Sequence, residues 1–69
     1  MNLYPDGKVN DAILTLQSSH NCCVRQLVQH IDGTHIRHAW HEVALFAVRH
    51  LAYDVAKEAI DELLRLGKL

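Results

Sequence analysis

The C-terminal half of the sequence constrains the fold most, because it carries a long apolar stripe with no helix breaker. Neither glycine nor proline occurs between Thr34 and Leu66, so nothing in this segment forces a helix to end. Apolar residues recur here at steps of three or four, the spacing that places side chains on one helical face. Residues 38–66 are therefore expected to form one long amphipathic helix, or two helices that meet at Tyr53 and Asp54. The stripe consists of Ala44, Val48, Leu51, Val55, Ala59, Leu63 and Leu66.

Two shorter helices are predicted upstream of this segment. The first is expected to be capped by Asn10 or Asp11, and the second to run over residues 22–31 with Asn21 as its N-cap. Gly33 then fits the left-handed residue that follows a helix. Both helices carry apolar residues at i, i+3, i+4 and i+7. These residues are Val9, Ala12, Ile13 and Leu16 in the first helix and Val24, Leu27, Val28 and Ile31 in the second.

The chain is predicted to be a single all-α domain over residues 1–69, with two short helices and a long or broken C-terminal helix. No segment alternates apolar and polar residues for long enough to predict a strand, and 69 residues leave no room for a second domain. Residues 35–39 fit either the first turn of the long helix or a short extended connection. Residues 4–7 fit a type I turn.

Composition limits the setting in which the protein works. No run of about 18 apolar residues is present, so no membrane span is expected, and the N-terminus lacks the layout of a signal peptide. A cytoplasmic protein is therefore expected. The two cysteines, Cys22 and Cys23, are adjacent, which disfavours a disulfide between them. Seven basic and eight acidic residues give a net charge of −1, which gives no sign of polyanion binding.

The length of the C-terminal segment predicts a protein partner. A continuous helix over residues 38–66 would be roughly 43 Å long, whereas a compact domain of this size is roughly 28 Å across. Such a helix would leave part of its apolar stripe uncovered, and monomers seldom expose a large apolar patch. The predicted interface is the stripe, with Trp40 as an aromatic anchor. Its residues are Trp40, Ala44, Val48, Leu51, Val55, Ala59 and Leu63.

Histidine is in excess, with six residues in 69. His35, His38 and His41 form an H-x-x-H-x-x-H pattern, and imidazoles on adjacent helical turns can bind zinc, nickel or copper. Cys22, Cys23 and His20 could add ligands from the second helix, and the candidate metal ligands are His38, His41 and Cys22. The spacing matches no zinc-finger or H-E-x-x-H pattern, so no metal and no cofactor is predicted.

The sequence holds little that predicts catalysis. His50 and Asp54 stand at i,i+4 and are expected to pair if the helix is continuous, which would raise the pKa of His50. A Cys–His pair could be built from Cys22 or Cys23 with His30, but a chain this short would struggle to enclose a substrate pocket. The protein is therefore predicted not to be an enzyme.

The C-terminal tail YDVAKEAIDELLRLGKL resembles the recognition helix of winged helix-turn-helix proteins. The resemblance covers less than half of the chain. It implies that residues 40–51 form the preceding helix, that residues 52–54 form the turn, and that the protein regulates transcription by binding DNA. The face that would enter the major groove carries carboxylates, which phosphates repel. These are Asp54, Glu58, Asp61 and Glu62.

Two functions are therefore carried forward. The leading prediction is a non-catalytic helical protein that acts by association, as a homodimer or as an adaptor or inhibitor of a larger partner. The alternative is a helix-turn-helix DNA-binding regulator.

Overall fold

The structure is a computed structural model that describes residues 7–67, and within that range it has four helices and no strand. This confirms the all-α prediction. The turn predicted at residues 4–7 lies outside the described residues except for Gly7. No helix in the described range is long and apolar enough to cross a membrane. The helices are α1 (Gly7–Ser18), α2 (Arg25–Ile31), α3 (Ile36–Arg49) and α4 (Tyr53–Arg65).

The start of α1 differs from the prediction, whereas the start of α3 matches one of the two predicted alternatives. α1 already includes Gly7, so the prediction that Asn10 or Asp11 caps it was wrong. The open choice at residues 35–39 is resolved in favour of helix. His35 is the extended N-cap residue and α3 begins directly after it.

The start of α2 was predicted too early. The helix begins at Arg25 rather than at Cys22, and Val24 occupies the N-cap position without a capping side chain. Asn21 is not the N-cap, because it adopts a left-handed conformation with φ of 54°. The short polar side chain of asparagine tolerates this conformation better than most residues do.

All four helices contribute to one hydrophobic core. The predicted stripes of α1 and α2 are buried apart from Val28, which is partly buried. α3 and α4 pack against each other more extensively than any other pair of helices, and alanines on both helices allow this close approach. The largest fully buried side chains are Trp40, Ile13, Leu16, Ile31, Val9 and Val43.

The C-terminal segment is broken into two helices, so the continuous alternative is not the one in the structure. The break is at residues 50–52, not at Tyr53 and Asp54. Leu51 is left-handed with φ of 61°. The Leu51 N–H donates to the Val48 carbonyl at 3.1 Å, and the Ala52 N–H donates to the Ala47 carbonyl at 2.7 Å. This pair of hydrogen bonds around a left-handed residue is a Schellman helix end.

Burial of the stripe offsets the free-energy cost of the break. A left-handed conformation costs a non-glycine residue roughly 1–2 kcal/mol. Folding α4 back buries Val55 and Leu63 almost completely, and each such burial stabilises the fold by about 1.5–3 kcal/mol. The gain exceeds the cost. The folded-back chain has a longest dimension of 30 Å and a radius of gyration of 10.6 Å, so a rod of roughly 43 Å is absent.

Candidate functional site

The residues predicted as an interface do not form one exposed surface. Five of the seven are buried inside the chain, with Trp40 and Ala59 fully inaccessible. Val48 and Leu51 remain exposed, at 49% and 68%. The prediction assumed a continuous stripe, and the break at residues 50–52 turns most of that stripe inward. The buried residues are Trp40, Ala44, Val55, Ala59 and Leu63.

A different set of apolar residues faces outward. Within the described range, seven large apolar side chains are exposed, and six of them lie in residues 45–64. Five of these six lie at the α3–α4 connection or along one line of α4, where positions 53, 60 and 64 share a helical face. We call this set the apolar strip. It consists of Val48, Leu51, Tyr53, Ile60 and Leu64.

The neighbours of α4 show which of its flanks carries the strip. Lys8 Nζ of α1 lies 3.5 Å from Glu62 Oε2, and a groove between α1 and α4 is lined by Thr15 and Asp61. The carboxylate-bearing flank of α4 therefore faces α1. The strip residues of α4 lie on the opposite side of its outward face, which is the side toward α3.

The neighbours of α3 lead to the same placement. A crevice between α2 and α3 is lined by Leu27 and His30 of α2 and by Glu42, Leu45, Phe46 and Arg49 of α3, so this flank of α3 faces α2. Val48 lies toward the other flank, which faces α4. The strip therefore begins at the α3–α4 connection and continues along α4 beside the boundary between the two helices.

The outward face of α3 is basic and rich in histidine. Its exposed residues at helical spacing include two arginines and two histidines, and we call this group the basic flank. Glu42 and Arg49 lie at its α2 edge, where both line the crevice between α2 and α3. Glu42 Oε2 is 3.7 Å from His41 Nδ1. The basic flank consists of Arg37, His38, His41 and Arg49.

The outward face of α4 beyond the strip is mainly acidic, and the exposed Arg65 at its C-terminal end pairs with Glu62. Asp54, Glu58 and Asp61 are exposed there, and we call them the acidic flank. Lys57 lies among the strip residues of α4. The pKa of Asp54 is lowered, first by a hydrogen bond from the Val55 N–H at 2.9 Å and then by His20. The carboxylate of Asp54 is therefore held in its charged form. The strip thus has a basic flank on one side and an acidic flank on the other.

Asp54 does not pair with His50, so that prediction was wrong. His20 Nε2, from the α1–α2 connection, lies 2.9 Å from Asp54 Oδ1, at ion-pair distance but without the alignment of a hydrogen bond. The His50 ring lies against Phe46, with centroids 4.3 Å apart. The predicted pair needed a continuous helix, which the break removes.

The candidate metal ligands are not brought together. Within residues 7–67, no three His, Cys, Asp or Glu side chains lie close enough to share a metal ion. His38 and His41 are exposed on α3, whereas Cys22 is buried in the α1–α2 connection and donates its thiol to the His20 carbonyl at 3.5 Å.

The Cys–His pair considered for catalysis is not assembled either. Cys22 and Cys23 line a shallow pocket of about 370 Å3 beside α2. His30 lines the separate crevice between α2 and α3. Both cysteines are free thiols.

Glu62 was expected on the outward acidic face of the C-terminal helix, but it is buried. Glu62 accepts hydrogen bonds from Arg65 Nη2 and Nε at 2.6 and 3.0 Å, and this contact lowers the pKa of Glu62. The i,i+3 spacing of Glu62 and Arg65 was available in the sequence. What the spacing could not show is that Glu62 lies on the flank of α4 that packs near α1.

Comparison with known proteins adds no family to this geometry. No family model matches the chain, and no curated protein or solved structure is significantly similar to it.

Proposed function

We propose that the protein is a non-catalytic association module that binds a protein partner through the apolar strip. One observation carries the proposal: five of the seven exposed large apolar side chains in the described range belong to the apolar strip. Scattered single apolar residues are ordinary on a protein surface, whereas a contiguous patch of several hundred Å2 marks an interaction site.

The surroundings of the strip support the same function. Protein interfaces have an apolar centre and a polar rim, and the strip lies between two charged flanks. Tyr53 is of a residue type that is enriched at interface hot spots, and Leu51 adds apolar surface that a partner can bury. Because Tyr53 and Leu51 are exposed at 63% and 68%, a partner could remove most of their surface from water.

Site-specific photo-crosslinking tests this proposal. A benzophenone side chain is placed at position 60 in the strip or, as the control, at position 26 on the exposed surface of α2. The labelled protein is then added to an extract of the cells that make it. We expect adducts from position 60 that excess unlabelled wild type suppresses and an excess of the Leu51→Ser/Ile60→Ser variant does not. Equal adducts from both positions, or equal suppression by both competitors, would contradict the proposal.

A helix-turn-helix DNA-binding protein is the second candidate. It is favoured by the three-residue connection between α3 and α4, since short connections of this length join the two helices of that motif. It is opposed by the acidic flank, because α4 would present Asp54, Glu58 and Asp61 to the phosphates. A salt titration of binding to random duplex DNA separates the candidates. Micromolar binding that weakens steeply with salt would favour this second function.

A further inference from the structure

We infer that the partner of the apolar strip is a second copy of this chain, related by a two-fold axis that runs along the strip. The inference rests on the proposed function and adds the identity and orientation of the partner. It follows from the arrangement of three surfaces already described, which are the basic flank, the strip and the acidic flank.

The charge pattern selects a second copy as the occupant. The basic flank carries two arginines, Arg37 and, at its α2 edge, Arg49. The acidic flank carries three carboxylates, and Arg65 beside them is paired with Glu62. A partner that covers the whole surface must be acidic opposite α3, apolar opposite the strip and basic opposite α4. The protein itself presents that pattern when it is turned over, and complementary potentials favour association while like charges oppose it.

The direction of the two-fold axis follows from the same pattern. In an isologous dimer the same patch of both copies meets, and the axis lies in the plane of contact. An axis along the strip exchanges the two sides of that plane, so each basic flank faces the acidic flank of the other copy. An axis across the strip would instead set the basic flanks against each other and the acidic flanks against each other. Only the first arrangement satisfies the charges, and it places Ile60 near Ile60 of the second copy.

The extent of the surface is sufficient for a dimer. A specific interface buries about 800 Å2 on each partner. The five strip residues are 41–68% exposed, so they supply several hundred Å2 of apolar contact, and the two flanks supply the polar rim.

The test is a pair of charge-reversed variants that are complementary only to each other. Arg37→Glu/Arg49→Glu makes both flanks acidic, and Glu58→Lys/Asp61→Lys makes both flanks basic. Asp54 is left unchanged because it contacts Val55 and His20. Matched controls reverse exposed charges elsewhere, at Arg25 on α2 and Asp11 on α1. Circular dichroism melts first establish that each variant is folded, and Arg37→Gln/Arg49→Gln replaces the first variant if it is not.

Sedimentation velocity at low salt then gives the self-association of each protein. We expect wild type to dimerise, each charge-reversed variant alone to associate about tenfold more weakly or worse, and an equimolar mixture of the two to recover dimerisation. If the glutamine variant is used, it should also weaken self-association. The control variants should dimerise like wild type.

The outcomes separate this inference from the proposed function. A wild-type dimer whose flank variants associate normally, or whose mixture does not recover, overturns the inference and leaves the proposed function standing. A monomeric wild type that still gives strip-specific adducts with another protein does the same. A monomeric wild type with no strip-specific adducts overturns both.

Discussion

Two helix ends in this protein each contain one residue with positive φ, and their sequence signals are opposite. After α2, Gly33 has φ of 79° and follows the extended residue Asp32, in a turn closed by the Thr34 N–H donating to the Ile31 carbonyl at 3.0 Å. After α3, Leu51 has φ of 61° and occupies the left-handed position of the Schellman helix end. Glycine adopts this conformation without a steric cost, whereas leucine does not. The first helix end is therefore favoured by local backbone preference. The second is imposed by the burial that the fold gains when α4 packs back on α3.

The largest expected change in stability comes from placing a charge at a position that α4 buries against the core. Val55 and Val48 belong to the same stripe in the sequence, but Val55 is 2% exposed and Val48 is 49% exposed. Val55→Asp should destabilise the fold by about 3–5 kcal/mol, because it buries an unpaired charge. That is a large part of the total for a chain of this length, which is about 3–10 kcal/mol. The matched control Val48→Asp should change stability by about 0.5 kcal/mol or less.

Urea denaturation followed by circular dichroism measures both variants. The expected result is a Val55→Asp protein with a far lower denaturation midpoint than the Val48→Asp protein. A continuous helix that dimerises through its stripe predicts instead that Val55→Asp is a folded monomer as stable as Val48→Asp. Observing a monomer of that stability would contradict the break at residues 50–52.

This contrast also marks how far the sequence could predict the fold. The two short amphipathic helices and the end of α2 at Gly33 follow from spacing and backbone preference, and they are confirmed. The end of α3 has no local signal, because Leu51 lies in phase with the stripe and is among the better helix-forming residues. Its position depends on contacts between residues that are distant in sequence, which spacing alone does not reveal.

The candidate site was predictable only in part, for the same reason. Val48 and Leu51 were identified as interface residues and are exposed. Tyr53, Ile60 and Leu64 were not identified, because they become the outward line of α4 only after α4 turns its main stripe toward the core. The general prediction of an association surface therefore remains a proposal, with a composition that the sequence did not predict.

An intermediate effect on stability is expected when glycine is introduced at the end of α3 and removed after α2. Leu51→Gly should stabilise the fold by about 0.5–1 kcal/mol, because it removes the left-handed strain at a moderate cost in unfolded-state entropy. Gly33→Ala should destabilise it by about 1 kcal/mol. Apart from its two chain neighbours, no residue has a heavy atom within 4 Å of a Cβ placed on Gly33, so that loss would be backbone strain alone.

Denaturation midpoints at low protein concentration give both values without a contribution from association. The two substitutions should have opposite signs. If Leu51→Gly is also destabilising, then the Leu51 side chain makes a contribution that outweighs its strain, and the comparison between the two helix ends fails.

The smallest expected effect concerns the helix that follows each connection. α4 has Asp54 in its first turn, whereas α3 has no acidic residue there. The folded pKa of Asp54 lies below its ordinary value of 3.8, with the Val55 N–H as the larger cause and His20 as the next. A lowered folded pKa stabilises the fold above the unfolded pKa, and this contribution is lost as pH falls through the folded value. Because Asp54 is exposed, solvent screening keeps the effect small.

Urea denaturation from pH 6 to pH 2.5 should therefore show a smaller loss of stability for Asp54→Asn than for wild type, confined to the range below about pH 4. His20→Gln should reduce that loss less than Asp54→Asn does, since it leaves the Val55 hydrogen bond in place. Identical acid profiles for wild type and Asp54→Asn would show that this contact does not anchor the start of α4.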